Sequence, residues 1–182
     1  IEPLTVAAEH TIISSHTDGE GNIYYSFYNE GLFCYDRDGN QTAHYTTRNS
    51  ALTNNIILDI HEREGELWLA TDGGGITILN KRDQSMRTLQ HIPGDPASLP
   101  VNSIMLLYHD QDNDLWAGTV RGGLFQIKET YIRINSDVAL NNHNGLSERA
   151  IISLLEDADS TLWIGTDGGG INKYNPFTGR FT

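Results

Sequence analysis

The sequence predicts an all-β fold, a β-propeller segment of four-stranded antiparallel blades with about four blades present. Three observations support this. First, the stretch L-W-I-G-T-D-G-G-G-I-N-K-Y-N at Leu162 to Asn175 recurs as L-W-L-A-T-D-G-G-G-I-T-I-L-N from Leu67 and as L-W-A-G-T-V-R-G-G-L-F-Q-I-K from Leu115. A weaker copy, I-Y-Y-S-F-Y-N-E-G-L-F-C-Y-D, runs from Ile23. Its aromatics, Tyr24, Trp68, Trp116 and Trp163, are 44, 48 and 47 residues apart, a period that belongs to propellers and solenoids. Second, the apolar residues alternate or run in short blocks instead of recurring at helical spacing, which excludes a two-helix solenoid. Third, 18 glycines in 182 residues with only two methionines suit a turn-rich β protein.

Taken in order, the first segment is Leu4-Thr5-Val6-Ala7-Ala8, a short alternating strand. Residues 1–11 read as the outer strand of a neighbouring or closing blade. The blades are expected at about 12–48, 56–93, 104–135 and 151–182. Each opens on an isoleucine pair or Ile-Met (Ile12-Ile13, Ile56-Ile57, Ile104-Met105, Ile151-Ile152), and the first member stands 12 residues before the aromatic. This apolar first strand reads as buried on both faces.

An acid six residues after the opener (Asp18, Glu62, Asp110, Asp157), with Gly21, Gly65, Asn113 or Ser160, marks a polar hairpin turn. In the second strand the aromatic shares a face with a small residue (Ser26, Ala70, Gly118 or Gly165), which lets side chains of the next sheet approach. A glycine follows the aromatic after seven residues: Gly31, Gly75, Gly123 and Gly170. The third strand is Ile76 to Leu79 and its equivalents. The fourth is expected at Thr42 to Tyr45, Met86 to Ile92 and Tyr131 to Ile134. Asn49 to Asn55, Pro93 to Ser103 and Asn135 to Ala150 connect one blade to the next. The last unit stops near Arg180-Phe181-Thr182, where its fourth strand should begin. Two arrangements remain open, a four-blade ring completed by Leu4 to Ala8 and part of a larger propeller. The larger propeller is the favoured reading.

Composition excludes several classes of function. A net charge of −12 lacks the basic face that nucleic acid or an anionic membrane rewards. Cys34 is the only cysteine, so neither an intrachain disulfide nor a cysteine zinc site can form, and the residue reads as a small, partly buried strand position. The glycine turns at Asp72-Gly73-Gly74-Gly75 and Asp167-Gly168-Gly169-Gly170 lack the lysine and Ser/Thr of a phosphate loop and join two strands. Asp110, Asp112 and Asp114 mimic a calcium loop, but Leu115 and Arg121 stand where glycine and glutamate are needed. No H-E-x-x-H and no G-x-S-x-G occur, so no metal, no cofactor and no catalytic residue is expected.

The motif L-W-I-G-T-D-G-G-G-I-N-K-Y after I-I-S-L-L-E-D-A-D-S-T resembles the two-component regulator propeller repeat. The resemblance is strong from Ile56 onward and weak before Asp36, where Tyr24 replaces the tryptophan. It implies a non-catalytic periplasmic sensor segment of a hybrid histidine kinase. Such a segment would bind a ligand, commonly an oligosaccharide, with further blades and signalling domains of the parent chain as partners. A propeller-fold lyase or hydrolase and a purely structural interaction platform are the alternatives.

Variation between copies points to candidate binding residues at the second-to-third-strand turns and the inter-blade connections. Arg121 stands near the turn where other copies have Asp72 and Asp167. Asn54, Asn102 and Arg149 lie two residues before the openers, and Asn142 and His143 lie in the longest loop. Amide, guanidinium and imidazole groups can hydrogen-bond sugar hydroxyls. Tyr24, Trp68, Trp116, Trp163, Gly75, Gly123 and Gly170 are expected to be scaffold, so Trp163→Ala should cost about 3–5 kcal/mol as a core truncation. An uncovered terminal blade face should also promote self-association.

Overall fold

The computed structural model describes residues 11–127 and 145–182. Four antiparallel sheets follow one another along the chain. The first contains β1 (Ile12–Thr17), β2 (Ile23–Phe27), β3 (Gly31–Tyr35) and β4 (Gln41–Tyr45). The second contains β5 (Ile57–Arg63), β6 (Glu66–Thr71), β7 (Gly75–Asn80) and β8 (Met86–Leu89). In the third, β9 (Ile104–His109), β10 (Leu115–Thr119) and β11 (Leu124–Ile127) lie among the described residues. The fourth has β12 (Ile151–Glu156), β13 (Leu162–Thr166), β14 (Gly170–Asn175) and the two-residue β15 (Arg180–Phe181). Each is a meander in chain order, the topology of a propeller blade. The expected strands at Leu4 to Ala8 and at Tyr131 to Ile134 lie outside the described residues. The expected Met86 to Ile92 strand ends at Leu89, where the chain turns into the Ile92–Asp95 loop.

The molecule divides into two compact units, Ile1–Thr88 and Leu89–Thr182. In the first, Tyr24, Leu32 and Cys34 of one sheet pack with Ile57, Ile60, Leu67 and Leu69 of the next. In the second, Trp116 and Leu124 pack with Ile151, Leu162 and Ile164. The small residue two positions after the aromatic is needed there. A β-carbon on Gly118 would stand 2.7 Å from Ile151 Cγ2, and Ser26 Oγ donates to Ile57 O at 3.0 Å. A larger side chain at either position would separate the sheets.

The first strands are not buried on both faces as their apolar sequence suggested. In β9 only Ile104 and Leu107 are buried, and in β12 Ile152 and Leu155 are exposed. The cause is a register shift at the same place in every sheet: Ile12/Ser14, Ile57/Asp59, the Ile104–Leu106 step opposite Gly118/Thr119, and Ile151/Ser153. Such a bulge leaves its extra residue unpaired and re-aims it. The residue inside each shift, Ile13, Leu58, Met105 or Ile152, is therefore not buried.

A second correction concerns the spacing in the second blade. In three sheets the acid closes a turn through Asp18 N to Asn22 O, Asp110 N to Asp114 O, and Asp157 N to Thr161 O, with Gly21, Asn113 and Ser160 at positive φ. The second sheet uses a two-residue turn, Glu64 (φ 51°) and Gly65 (φ 81°), between paired Arg63 and Glu66. The span from opener to motif threonine is thus one residue shorter, and Ile57, not Ile56, occupies the opener's place opposite that threonine.

Candidate functional site

The shortened turn explains the behaviour of the aromatics. Asp18 Oδ2 accepts the Tyr24 hydroxyl at 3.1 Å, Asp110 Oδ2 the Trp116 indole N–H at 2.7 Å, and Asp157 Oδ2 the Trp163 N–H at 2.8 Å. These acids latch the polar tip of each ring. The signal for this was present in sequence as the constant six-residue interval from acid to ring. Glu62 keeps that interval but not the turn, and the buried Trp68 Nε1 has no hydrogen-bond partner; Arg87 lies over its ring at 5.4 Å. The Trp163 ring is only half-buried and is covered by Lys173 Nζ at 4.1 Å. It is therefore less of a core residue than the sequence suggested, and the full core-truncation cost belongs to Trp116, which is 2% exposed.

At the opposite end of each sheet the candidate binding surface is built from the motif threonine and glycines. Thr71, Thr119 and Thr166 each donate to the carbonyl of the glycine four residues on, Gly75, Gly123 and Gly170, at 2.8–3.0 Å. All three glycines have φ of 78–83°, a region open to glycine at little cost. Each turn is bonded to the connection entering its own blade, by Asp72 N to Ile56 O, Val120 N to Ser103 O and Asp167 N to Ala150 O. Two turns also reach the connection into the following blade, by Gly31 N to Asn55 O and Gly123 N to Arg149 O. Thr53 bonds Thr77, and Ser147 bonds Asn172, pinning the connections to buried polar positions on the third strands.

On this frame the sequence-derived candidates separate. Asn54 uses both ends of its amide on backbone, donating to Asp72 O at 2.6 Å and accepting from Ile56 N at 2.8 Å. Asn102 Oδ1 accepts the His91 amide at 2.7 Å. Both shape the loops. Asp72, Arg121, Arg149 and Asp167 are exposed. In the second unit the backbone bonds of Gly123 to Arg149 and of Asp167 to Ala150 bring the segments bearing Arg121, Arg149 and Asp167 to one end. Asn142 and His143 lie outside the described residues. Among the described residues no group of three or more His, Cys, Asp or Glu could hold a metal, and no helix is long and apolar enough to cross a membrane.

Cys34 is 5% exposed, and burial pushes its thiol up to about 12. The thiolate is the reactive form. Native protein at pH 8 should therefore resist a thiol-directed disulfide reagent and react fully once unfolded in guanidinium. Rapid labelling without denaturant would contradict this burial.

The structure defines a protein of β-propeller blades. Residues 98–121 and 145–168 match the family model described as the two component regulator propeller. No curated protein matches the chain significantly.

Among solved structures, the extracellular domain of a B. thetaiotaomicron protein described as a hybrid two component system is 22% identical. The match has a TM-score of 0.76 and covers 95% of this chain and 25% of that one. The extracellular domain of a second such B. thetaiotaomicron system is 19% identical, with a TM-score of 0.63 over 94% of this chain and 29% of that one. Virginiamycin B lyase from Staphylococcus aureus matches at 13% identity and a TM-score of 0.63, covering 94% of this chain and 54% of that one. The chain thus spans about a quarter of the length of the B. thetaiotaomicron domains.

Proposed function

We propose that the chain is a non-catalytic, extracytoplasmic sensor segment of a hybrid two-component signalling protein. It binds a polar ligand, an oligosaccharide, and relays occupancy to a histidine kinase elsewhere in the same polypeptide. The observation that carries this reading is the contrast at the turn-and-connection end. An invariant hydrogen-bonded frame of Thr71/Thr119/Thr166 and Gly75/Gly123/Gly170 holds side chains that differ from copy to copy, Asp72, Arg121, Asp167 and Arg149. Variable polar groups on a rigid loop frame are how scaffold proteins carry specificity. Asn142 and His143, which the sequence puts in the connection before the last blade, remain candidates on sequence grounds alone. The repeat family and the periplasmic setting it implies favour a sensor over an enzyme.

Isothermal titration against a panel of plant- and host-glycan oligosaccharides, with a turnover assay on the same compounds, tests this. Binding without turnover is expected, and Arg121→Ala should weaken it about tenfold, ~1.4 kcal/mol. A second reading, a propeller lyase, draws on the fold shared with virginiamycin B lyase. Cleavage of any bound glycan would favour that reading and remove the sensor proposal.

A further inference from the structure

Each sheet presents two different faces. One carries the aromatic ring, the small residue two positions on and, opposite the small residue, an aliphatic side chain of the third strand. The pairs are Ser26 with Leu32, Ala70 with Ile76, Gly118 with Leu124 and Gly165 with Ile171. The other face carries the opening isoleucine of the first strand, Ile12, Ile57, Ile104 or Ile151. Where two sheets stack within a unit, the ring-bearing face of one receives the isoleucine of the next. Leu32 packs with Ile57 and Leu124 with Ile151, and it is Ile151 that a β-carbon on Gly118 would meet.

The fourth sheet repeats this socket without a following isoleucine. Leu32, Ile76 and Leu124 are buried, whereas Ile171 is 71% exposed. The atoms nearest a β-carbon on Gly165 belong to Ser153 and Ile152 of its own first strand, not to another sheet. The Trp163 ring is half-buried where Tyr24, Trp68 and Trp116 are buried, and exposed Leu155 stands opposite it. The first sheet has the converse feature. Ile57, Ile104 and Ile151 are fully buried, and Ile12 is 47% exposed. Among the described residues, therefore, one socket and one opening isoleucine stand open to solvent.

We propose that these are the two halves of one interface between copies of the chain. The ring-bearing face of the fourth sheet takes the first sheet of a second copy, with Ile12 seated over Gly165, beside Trp163 and Ile171, as Ile151 is seated over Gly118. Apolar side chains grouped on one exposed face favour a protein partner, and the contact continues packing that the molecule already uses in each unit. Because different surfaces meet, the association is heterologous and builds rings or open chains of copies. A net charge of −12 on each copy opposes it, so screening by salt should strengthen it. Ligand binding at the loops is not required.

Sedimentation velocity of the purified chain at rising concentration should show monomers giving way to oligomers, at lower concentration when salt is added. Ile12→Asp and Ile171→Asp change exposed side chains, so both variants should keep the wild-type melting midpoint, and each alone should stay monomeric. Mixed in equal amounts they should form a dimer and nothing larger, because Ile12→Asp retains the socket and Ile171→Asp retains the isoleucine. A monomeric wild type, a mixture that stays monomeric, or dissociation by added salt would overturn the proposal. So would association of Ile12→Asp alone, which would mean that two fourth sheets meet face to face.

Discussion

Replacing Trp116 with alanine is expected to lower the unfolding free energy by about 3–5 kcal/mol, the range for emptying a buried aromatic site. The same change at Trp163 should cost about 1–2 kcal/mol, because less surface leaves the core. The Trp116 ring is 2% exposed, stands edge-on to Tyr174 at 5.7 Å and packs with Leu124, Ile151, Leu162 and Ile164. Its loss opens a cavity across two sheets and leaves Asp110 without its indole donor. The Trp163 ring is half-buried under the Lys173 ammonium, beside exposed Leu155 and Ile171, and truncating it removes surface contacts. Paired urea titrations measure the difference. With about 2–4 °C per kcal/mol for a chain of this size, melting curves should also separate the two variants. Equal losses would mean that the two aromatics carry equal packing loads, contrary to their burial.

These aromatics also show what was legible in the sequence. The small residue beside each ring and the glycine seven positions on were readable because the backbone and the neighbouring sheet leave few other choices there. Gly118 faces Ile151, and Gly123 has φ 83°. The register of the second blade was not readable from spacing. The doublet Ile56-Ile57 offers an isoleucine at either position, and Glu62 preserves the acid-to-ring interval, so a one-residue shortening is disguised. The signal that could have exposed it is Glu64-Gly65, a two-residue hairpin pair unlike the turns at Asp18, Asp110 and Asp157.

The candidate surface divides in the same way. Its frame follows from repeated Thr and Gly, whereas the engagement of Asn54 with Asp72 O and of Asn102 with His91 N depends on how loops fold back, which no periodicity encodes.

Lys81, whose Nζ lies 2.9 Å from Asp18 Oδ2 of one sheet and forms a salt bridge with Glu62 of the next, gives the other large effect. Lys81→Met is expected to cost about 2–3 kcal/mol at pH 7. This lies below the ~3–5 kcal/mol for breaking a fully buried pair, since Lys81 keeps a fifth of its side chain in water while that of Asp18 is 1% exposed. Asp18 also retains donors from Glu20 N, Asn22 N and Tyr24 OH. Burial raises the pKa of the Asp18 carboxyl, but bonds from Asn22, Lys81 and the turn amides outweigh that and hold it far below the usual carboxylate range. Glu62 is lowered in the same way against its own burial, by Lys81 and His16. A carboxylate with a depressed pKa contributes stability that is fully present above its unfolded value, about 4. That contribution is lost as the pH falls through the folded value.

Burial disfavours the Lys81 ammonium, but Glu62 and Asp18 more than compensate and raise its pKa. Its contribution is complete below the unfolded value of about 10.4 and is lost as the pH rises through the raised folded value. The stability difference between wild type and Lys81→Met should therefore be flat from about pH 5 to 9 and shrink on both sides. The acid side should fall away below about pH 4. Urea midpoints at pH 2.5, 7 and 11 measure all three regions. A difference that stays constant across them would assign the effect of Lys81 to its methylenes and leave the charge with no part in joining the two sheets.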